Sequence, residues 1–379
     1  MKILIINWRS LRDPAAGGAE LVTYEHARRW ISKYQAQVIW LSPKYNNAID
    51  RETISGINFR YIGIPLGLNF SRLIFSYPIY FILVFWNYLT KYKNEVDVVV
   101  EGIHGIPLLT SLYVKKTLIV YLQEVAGEIW NKMFPFPINI IGQKLEKSFI
   151  NMYRHHIFVV GSNSAKLDLI NVGIMCKQIF IVNHGVSLPP LSRVPKKSQK
   201  FSLIFLNRLV KMKGAERAIR VFSLIEKKYP DSELLMVGKS GNDYLTNLKT
   251  LVAGLGLAGK VSFLGFVDEP TKIRLLKNSH LLINLSYKEG WGLVNIEANT
   301  QGTPVVAFDV EGNRDSIKTG INGYLIRDGD INEMARTIIK LRGNVSLRKT
   351  SLSFSRNFSW EIQSDRFYRI IQKTVGEFN

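Results

Sequence analysis

Short apolar runs return along this chain at 3–7, 96–100, 118–122, 157–160 and 179–182, and again at 203–206, 234–237, 261–264 and 281–285. A polar or glycine-bearing turn follows each run, and stretches of helical periodicity lie between them. Runs that are apolar on both faces read as strands covered on both sides, the pattern of a parallel sheet between layers of helix. The alternation breaks at 187–200, where Pro189, Pro190 and Pro195 stand among polar and basic residues, and then restarts. With 379 residues there is length for two cores. The expected fold class is therefore α/β, with two Rossmann-like domains at 1–186 and 201–355, a linker at 187–200 and an amphipathic helix within 356–379.

An apolar fraction of 46% excludes a disordered chain. The single cysteine, Cys176, excludes a disulfide framework and a cysteine zinc site, and fits a reducing compartment. The opening residues 1–8 form too short an apolar run for a signal peptide and read as a first buried strand. Net charge is +20, spread over both halves. Such an excess suits anionic donors, anionic lipid surfaces or nucleic acid. Zinc-finger spacing, an aromatic RNA-binding signature and an arginine-rich block are all missing, so nucleic acid is not expected. Residues 73–89 are almost wholly apolar, but they reach only the lower limit for a bilayer span and are interrupted by Pro78. Two readings stand for 72–93: a buried helix of the first domain, or a helix lying on a membrane surface, for which its aromatics and flanking cations are suited.

Chemistry concentrates at 288–306. An apolar strand runs into Lys288-Glu289-Gly290-Trp291-Gly292, a helix starts near Gly292 and carries Glu297, and another strand begins at Pro304. The first free N–H groups of that helix, with the positive end of its dipole, make an anion site that the glycines open to close approach. An acid beside an anion site is costly unless it meets hydroxyl donors, and a sugar supplies them. The alternative is an ordinary turn with capping acids.

Glu289 and Glu297, within E-G-W-G-L…E-A…G-T-P-V-V, resemble the E-x7-E signature of retaining GT-B glycosyltransferases, family 4 (glycosyl transferases group 1). Other stretches follow in that family's order over nearly the whole chain. The resemblance implies two domains facing each other across a cleft, with the last helix crossing back onto the first domain. It implies transfer of a hexose from a nucleotide-diphosphate sugar, with retention and without a metal ion or other cofactor. Arg208 and Lys213 match the cations that grip the donor diphosphate, with Asn207 where the family has glycine. The resemblance gives Glu289 the sugar hydroxyls, the turn at Gly290, Gly292, Leu293 and Val294 the phosphates, and Glu297 the ribose. Gly238 and Phe266 join the donor-binding set, the turn around Phe266 meeting the nucleobase. Gly17 and Gly18, after the first strand, match the family's G-G-A-E motif; by themselves they serve equally as turn geometry. Gln123 stands where many members have a histidine, and a glutamine cannot accept a proton at neutral pH. Catalytic or acceptor contacts then fall to His104, Glu124 and Glu128 beside Gln123. His184 reads as a hinge-region residue. In the 309–315 loop Glu311 replaces a family glycine.

Three motifs are set aside. The G-x-G-x-x-G at 254–259 follows a helix and precedes a strand, the reverse of a dinucleotide fingerprint. Gly238-Lys239-Ser240-Gly241 is only half a phosphate loop. Asp328-Gly329-Asp330 caps a helix near Ile331 and is not read as a metal motif. The expected partners are a nucleotide sugar and a glycan or lipid-linked acceptor, in the cytoplasm of a prokaryote and peripheral to the inner face of the plasma membrane. Other readings are an epimerase or phosphorylase on the same architecture, or an inactive partner subunit, for which Gln123, Asn207 and Glu311 speak.

Overall fold

Ile3, Leu4, Ile5 and Ile6 are all buried, so the first strand is covered on both faces as its composition requires. The computed structural model describes residues 1–378 apart from 15, 65–76, 104–106, 124, 128–129 and 132–133. It divides into two units, Met1–Gly185 with Trp360–Asn379, and Val186–Ser359. Unit 1 runs β1 (Lys2–Asn7), α1 (Gly18–Tyr34), β2 (Gln37–Pro43), β3 (Arg51–Ile54), β4 (Ile57–Ile62), α2 (Tyr77–Asn87), β5 (Val98–Ile103), β6 (Thr117–Leu122), α3 (Ile138–Asn151), β7 (Ile157–Val160), α4 (Asn163–Val172) and β8 (Ile179–Ile181). Unit 2 runs β9 (Ser202–Leu206), α5 (Ala215–Lys228), β10 (Glu233–Val237), α6 (Asn242–Gly254), β11 (Val261–Gly265), α7 (Glu269–Asn278) and β12 (Leu281–Asn284). It continues through α8 (Leu293–Thr300), β13 (Val305–Phe308), α9 (Asn313–Ser316), β14 (Gly323–Ile326), α10 (Ile331–Leu341) and α11 (Val345–Ser355). The chain then returns to unit 1 as α12 (Trp360–Phe378).

Unit 1 holds an eight-stranded sheet in the order β3-β4-β2-β1-β5-β6-β7-β8, and unit 2 a six-stranded sheet in the order β11-β10-β9-β12-β13-β14. Every ladder is parallel except β3–β4, an antiparallel edge hairpin where wholly parallel sheets were expected. In unit 2 alternate residues face opposite layers: Leu203 and Phe205 join the core under α5 and α10, while Ile204 joins that under α7 and α8. Ser162 caps α4 by accepting from Ala165 N at 3.1 Å. Asp330 caps α10 by accepting from Glu333 N at 2.8 Å, and Asp328 pairs with Arg217 at 2.7 Å.

Three expectations are revised. Residues 187–200 are no free linker: Leu188 is buried in the unit 2 core, and Leu191 N donates to Thr300 O at 3.0 Å. The described part of the apolar stretch at 72–93 is half-buried. Tyr80, Val84 and Tyr88 point into the core, while Ile82 and Trp86 are exposed on the other face. No helix among the described residues is long and apolar enough to cross a membrane. In α12 Phe367 and Ile371 are buried as the periodicity asks, but Ile362 is exposed, and Gln363 and Ser364 are buried in its place. The reason is polar: His26 Nδ1 meets Ser364 Oγ at 3.0 Å, and Trp30 Nε1 donates to Ser364 O at 3.2 Å.

That packing leaves two histidines in the interior of unit 1. Burial, followed by the neighbouring His184 and Arg29, pushes the His26 imidazole well down. Burial pushes His184 down to about 4. The unfolded chain takes up protons near pH 6.5 that the folded unit refuses. Stability is therefore complete above pH 6.5 and declines as pH falls from there toward 4. Between pH 7 and 5.5, His184 alone is expected to remove about 1 kcal/mol. Urea midpoints at the two pH values check this; an identical decline in a His184→Gln variant would assign the effect elsewhere.

Candidate functional site

β9 lies at the middle of the unit 2 sheet, with β10 on one side and β12 on the other, so successive connections leave it in opposite directions. A doubly wound sheet opens a crevice there, at the carboxyl ends of the diverging strands. The segment after β9 carries Asn207, Arg208 and Lys213, and the segment after β12 carries Ser286 and Glu289. Their side chains meet. Glu289 Oε2 accepts from Lys213 Nζ at 2.8 Å. Its Oε1 accepts from Ser286 Oγ at 2.6 Å and from Asn207 Nδ2 at 3.2 Å. The side chains of Lys213 and Glu289 are 19% and 10% exposed, so the carboxylate is largely removed from water and three donors replace its hydration.

The backbone around Glu289 is held as tightly. Glu289 N donates to Glu311 O at 3.1 Å, and Lys288 pairs with the Glu311 carboxylate at 2.7 Å. Gly312 sits at φ +77°, and a Cβ there would stand 2.2 Å from Glu289 O, so only glycine lets the two loops meet. Gly292, at φ +73°, is the N-cap of α8; a Cβ there would stand 2.5 Å from Asn295 Nδ2. No side chain caps that helix and no acid occupies its first turn, which leaves the N–H groups of Leu293 and Val294 at its open end. Arg208 is exposed; its backbone N donates to Asn207 Oδ1 at 3.0 Å, and among the described residues its guanidinium pairs with no carboxylate.

Beneath this loop lies a buried amide network. Asn284 Nδ2 donates to Asn295 Oδ1 at 3.0 Å and Asn313 Oδ1 at 3.1 Å, and Asn295 Nδ2 donates to Asn313 Oδ1 at 3.0 Å and Ser316 Oγ at 2.9 Å. It ties the end of β12, helix α8 and helix α9 into one block under Glu289.

The structure thus brings Lys213 and Glu289 together with Arg208 beside them. Glu297, one turn further into α8, pairs instead with Lys272 of α7 at 2.7 Å. Gly238 N donates to Gly265 O at 2.8 Å, and the neighbouring Phe266 is 74% exposed with Lys239 Nζ 5.0 Å from its ring centre. In unit 1, Gly17 is the N-cap of α1, and its N–H is occupied by Glu20 Oε2 at 2.7 Å; Gly18 begins the helix. Gln123 follows β6 directly, half-buried. His104, Glu124 and Glu128 lie outside the described residues. Glu101, in β5, is buried and accepts from Leu108 N at 2.6 Å and Tyr153 Oη at 2.8 Å; burial pushes its carboxyl up.

Ser286 and the asparagines 284, 295 and 313 were not found by sequence reasoning. Asn207 and Glu311, read as departures from a family pattern, have contacts of their own on Glu289. The available signals were an asparagine ending an apolar strand and another inside an apolar helix.

Residues 192–353 match the family model for Glycosyl transferases group 1. An uncharacterized glycosyltransferase of Methanocaldococcus jannaschii is 27% identical over 334 residues, 80% of this chain and 83% of that one. The poly(glycerol-phosphate) alpha-glucosyltransferase of Bacillus subtilis is 34% identical over 166 residues, 43% of this chain but only 24% of that longer enzyme. Among solved structures, Anabaena HepE in complex with UDP and glucose superposes with a TM-score of 0.73 at 17% identity, covering 98% of this chain and 100% of that one. Residues 192–353 thus match a Glycosyl transferases group 1 domain, within a chain whose two α/β units have the GT-B fold.

Proposed function

We propose that the protein transfers a hexose from a nucleotide-diphosphate sugar to a glycan or lipid-linked acceptor, with retention of configuration and without a metal ion. The observation that carries this reading is the Glu289 carboxylate fixed by Lys213, Asn207 and Ser286 at the switch point of the unit 2 sheet, beside the exposed Arg208 and the uncapped start of α8. Glu289 would bind hydroxyls of the transferred sugar. Lys213 has three N–H donors, so one can hold Glu289 while another meets a phosphate. With Arg208 and the amides of Leu293 and Val294 it would balance the charge that develops on the departing diphosphate, the role otherwise given to a metal ion. Glu297 would take ribose hydroxyls, in exchange for or alongside Lys272. Retention rests on the resemblance of the Glu289–Glu297 spacing. HepE holding UDP and glucose supports the donor class.

A membrane-proximal acceptor is supported by unit 1. Phe136 is 78% exposed ahead of α3, and Ile138, Ile141 and Leu145 are exposed at the spacing of one helix face, with Lys144 and Lys147 exposed nearby. Apolar side chains flanked by cations suit an anionic bilayer surface. The place of action on this reading is the inner face of the plasma membrane.

Thermal shift with UDP, GDP, ADP and their sugars tests the donor. A ligand at a hundred times its Kd stabilises by about 2.7 kcal/mol. A shift with one nucleotide, lost in Arg208→Ala, is expected. No shift with any of them would overturn the reading in favour of an inactive partner subunit. Turnover of the donor without an acceptor would indicate an epimerase, and dependence on inorganic phosphate a phosphorylase.

A further inference from the structure

A groove of about 710 Å³ lies between residues 192–196 and helix α11, built wholly from unit 2. Five cations line it, Arg193, Lys196, Arg348, Lys349 and Arg356, and no carboxylate does. Among the described residues none of the five pairs with an acid. Arg348 is fixed: its Nη2 donates to Pro195 O, while its Nε is buried with no partner among the described residues. The others are exposed. Arg348 and Leu352 share a face of α11, and Arg356, the C-cap residue in helical conformation, continues the four-residue spacing, so the two arginine backbones lie about 12 Å apart along the axis. Between them Leu352 and Val194 give the groove an apolar floor.

Behind this wall burial first, and then Arg348, push the Lys197 ammonium down to about 6. Lys197 Nζ is held by Thr303 Oγ1 at 2.6 Å and Lys277 O at 3.1 Å, both neutral. The imidazole of His280 is pushed down to about 4, by burial first and then by Lys197, Arg348 and Arg342. Like charges gathered without counter-charges repel, and the arrangement is relieved when an anion enters. Cations spread over about 12 Å of helix fit several phosphates better than one.

We propose that this groove is an anion site, separate from the Glu289 site, for a ligand carrying two or more phosphate groups. The phosphates come either from a soluble polyanion or from the headgroups of an anionic lipid surface. Guanidinium forks of Arg193, Arg348 and Arg356 bind the phosphate oxygens, Lys196 and Lys349 add point charges, and the apolar floor takes the links between phosphates.

The full-length protein is titrated calorimetrically with tripolyphosphate over a salt series, and sedimented with vesicles of phosphatidylglycerol and phosphatidylcholine. The Arg193→Gln/Arg356→Gln double variant, at two exposed positions that leave the packing intact, is expected to weaken tripolyphosphate or vesicle binding at least tenfold. Lys227→Gln/Lys228→Gln, an equal charge change on the exposed face of α5, is expected to leave binding within twofold. Loss confined to tripolyphosphate assigns a soluble ligand, and loss confined to vesicles assigns the lipid headgroup. The proposal is overturned if the wild type binds neither probe, if the α5 variant loses as much, or if Arg208→Ala abolishes binding while the groove variant keeps it.

Discussion

Replacing Lys213 by alanine is expected to lower kcat for sugar transfer by about 10²- to 10³-fold, the usual cost of removing one preorganised charge-stabilising donor. Two effects combine. The leaving diphosphate loses a cation placed at the carboxyl ends of the sheet. Among the described residues Glu289 also loses its only charged donor and is left with the neutral Ser286 and Asn207. The pair is partly solvated, so stability is expected to change by less than about 1 kcal/mol, and the fold should be retained. Lys213→Arg is expected to rescue little, because a planar fork cannot take the place of a compact ammonium 2.8 Å from the carboxylate. Steady-state kinetics with the donor found by thermal shift, beside melting curves, would decide it. A kcat within tenfold of wild type would remove Lys213 from the reaction.

Asn295→Ala is expected to destabilise unit 2 by about 3 kcal/mol, since it leaves Asn284 Nδ2, Asn313 Oδ1 and Ser316 Oγ each short of a buried partner. For a unit of this size that is a fall of about 6–12 °C in its melting transition. Asn295→Asp is expected to fare no better. Its carboxylate can still accept from Asn284, but it faces the Asn313 carbonyl oxygen that Asn295 now donates to. A melting point within about 2 °C of wild type for the alanine variant would show that water replaces the lost side chain.

The strands and most helices could be read from apolar patterning, because burial on both faces leaves a direct mark in composition. Caps could be read for the same local reason: Ser162 and Asp330 act within three residues of themselves. What escaped was long-range and polar. Asn207 reaches Glu289 across 82 residues and Asn284 reaches Asn313 across 29, and no periodicity records such meetings. Ile362 misled because an apolar residue at the right phase is only a candidate for burial; the hydrogen-bond needs of His26 and Trp30 drew Ser364 inward instead. Glu289 and Lys213 were found through a resemblance, whereas spacing alone left Glu289 open between a capping acid and a sugar ligand. The packing of 187–200 was hidden by prolines that resemble a spacer yet frame buried Leu188.

Unit 1 is assembled from the two ends of the chain, with all of unit 2 inserted between Gly185 and Trp360. On the ribosome, the first unit to emerge is therefore not the first that can be finished. Unit 2 has its whole sequence available once residue 359 is out, while α1 still shows Trp30 and His26 without the helix that covers them. Completion of the older half waits for residues 360–379 to be translated, and a nascent chain halted before α12 would carry a finished second unit joined to an open first one.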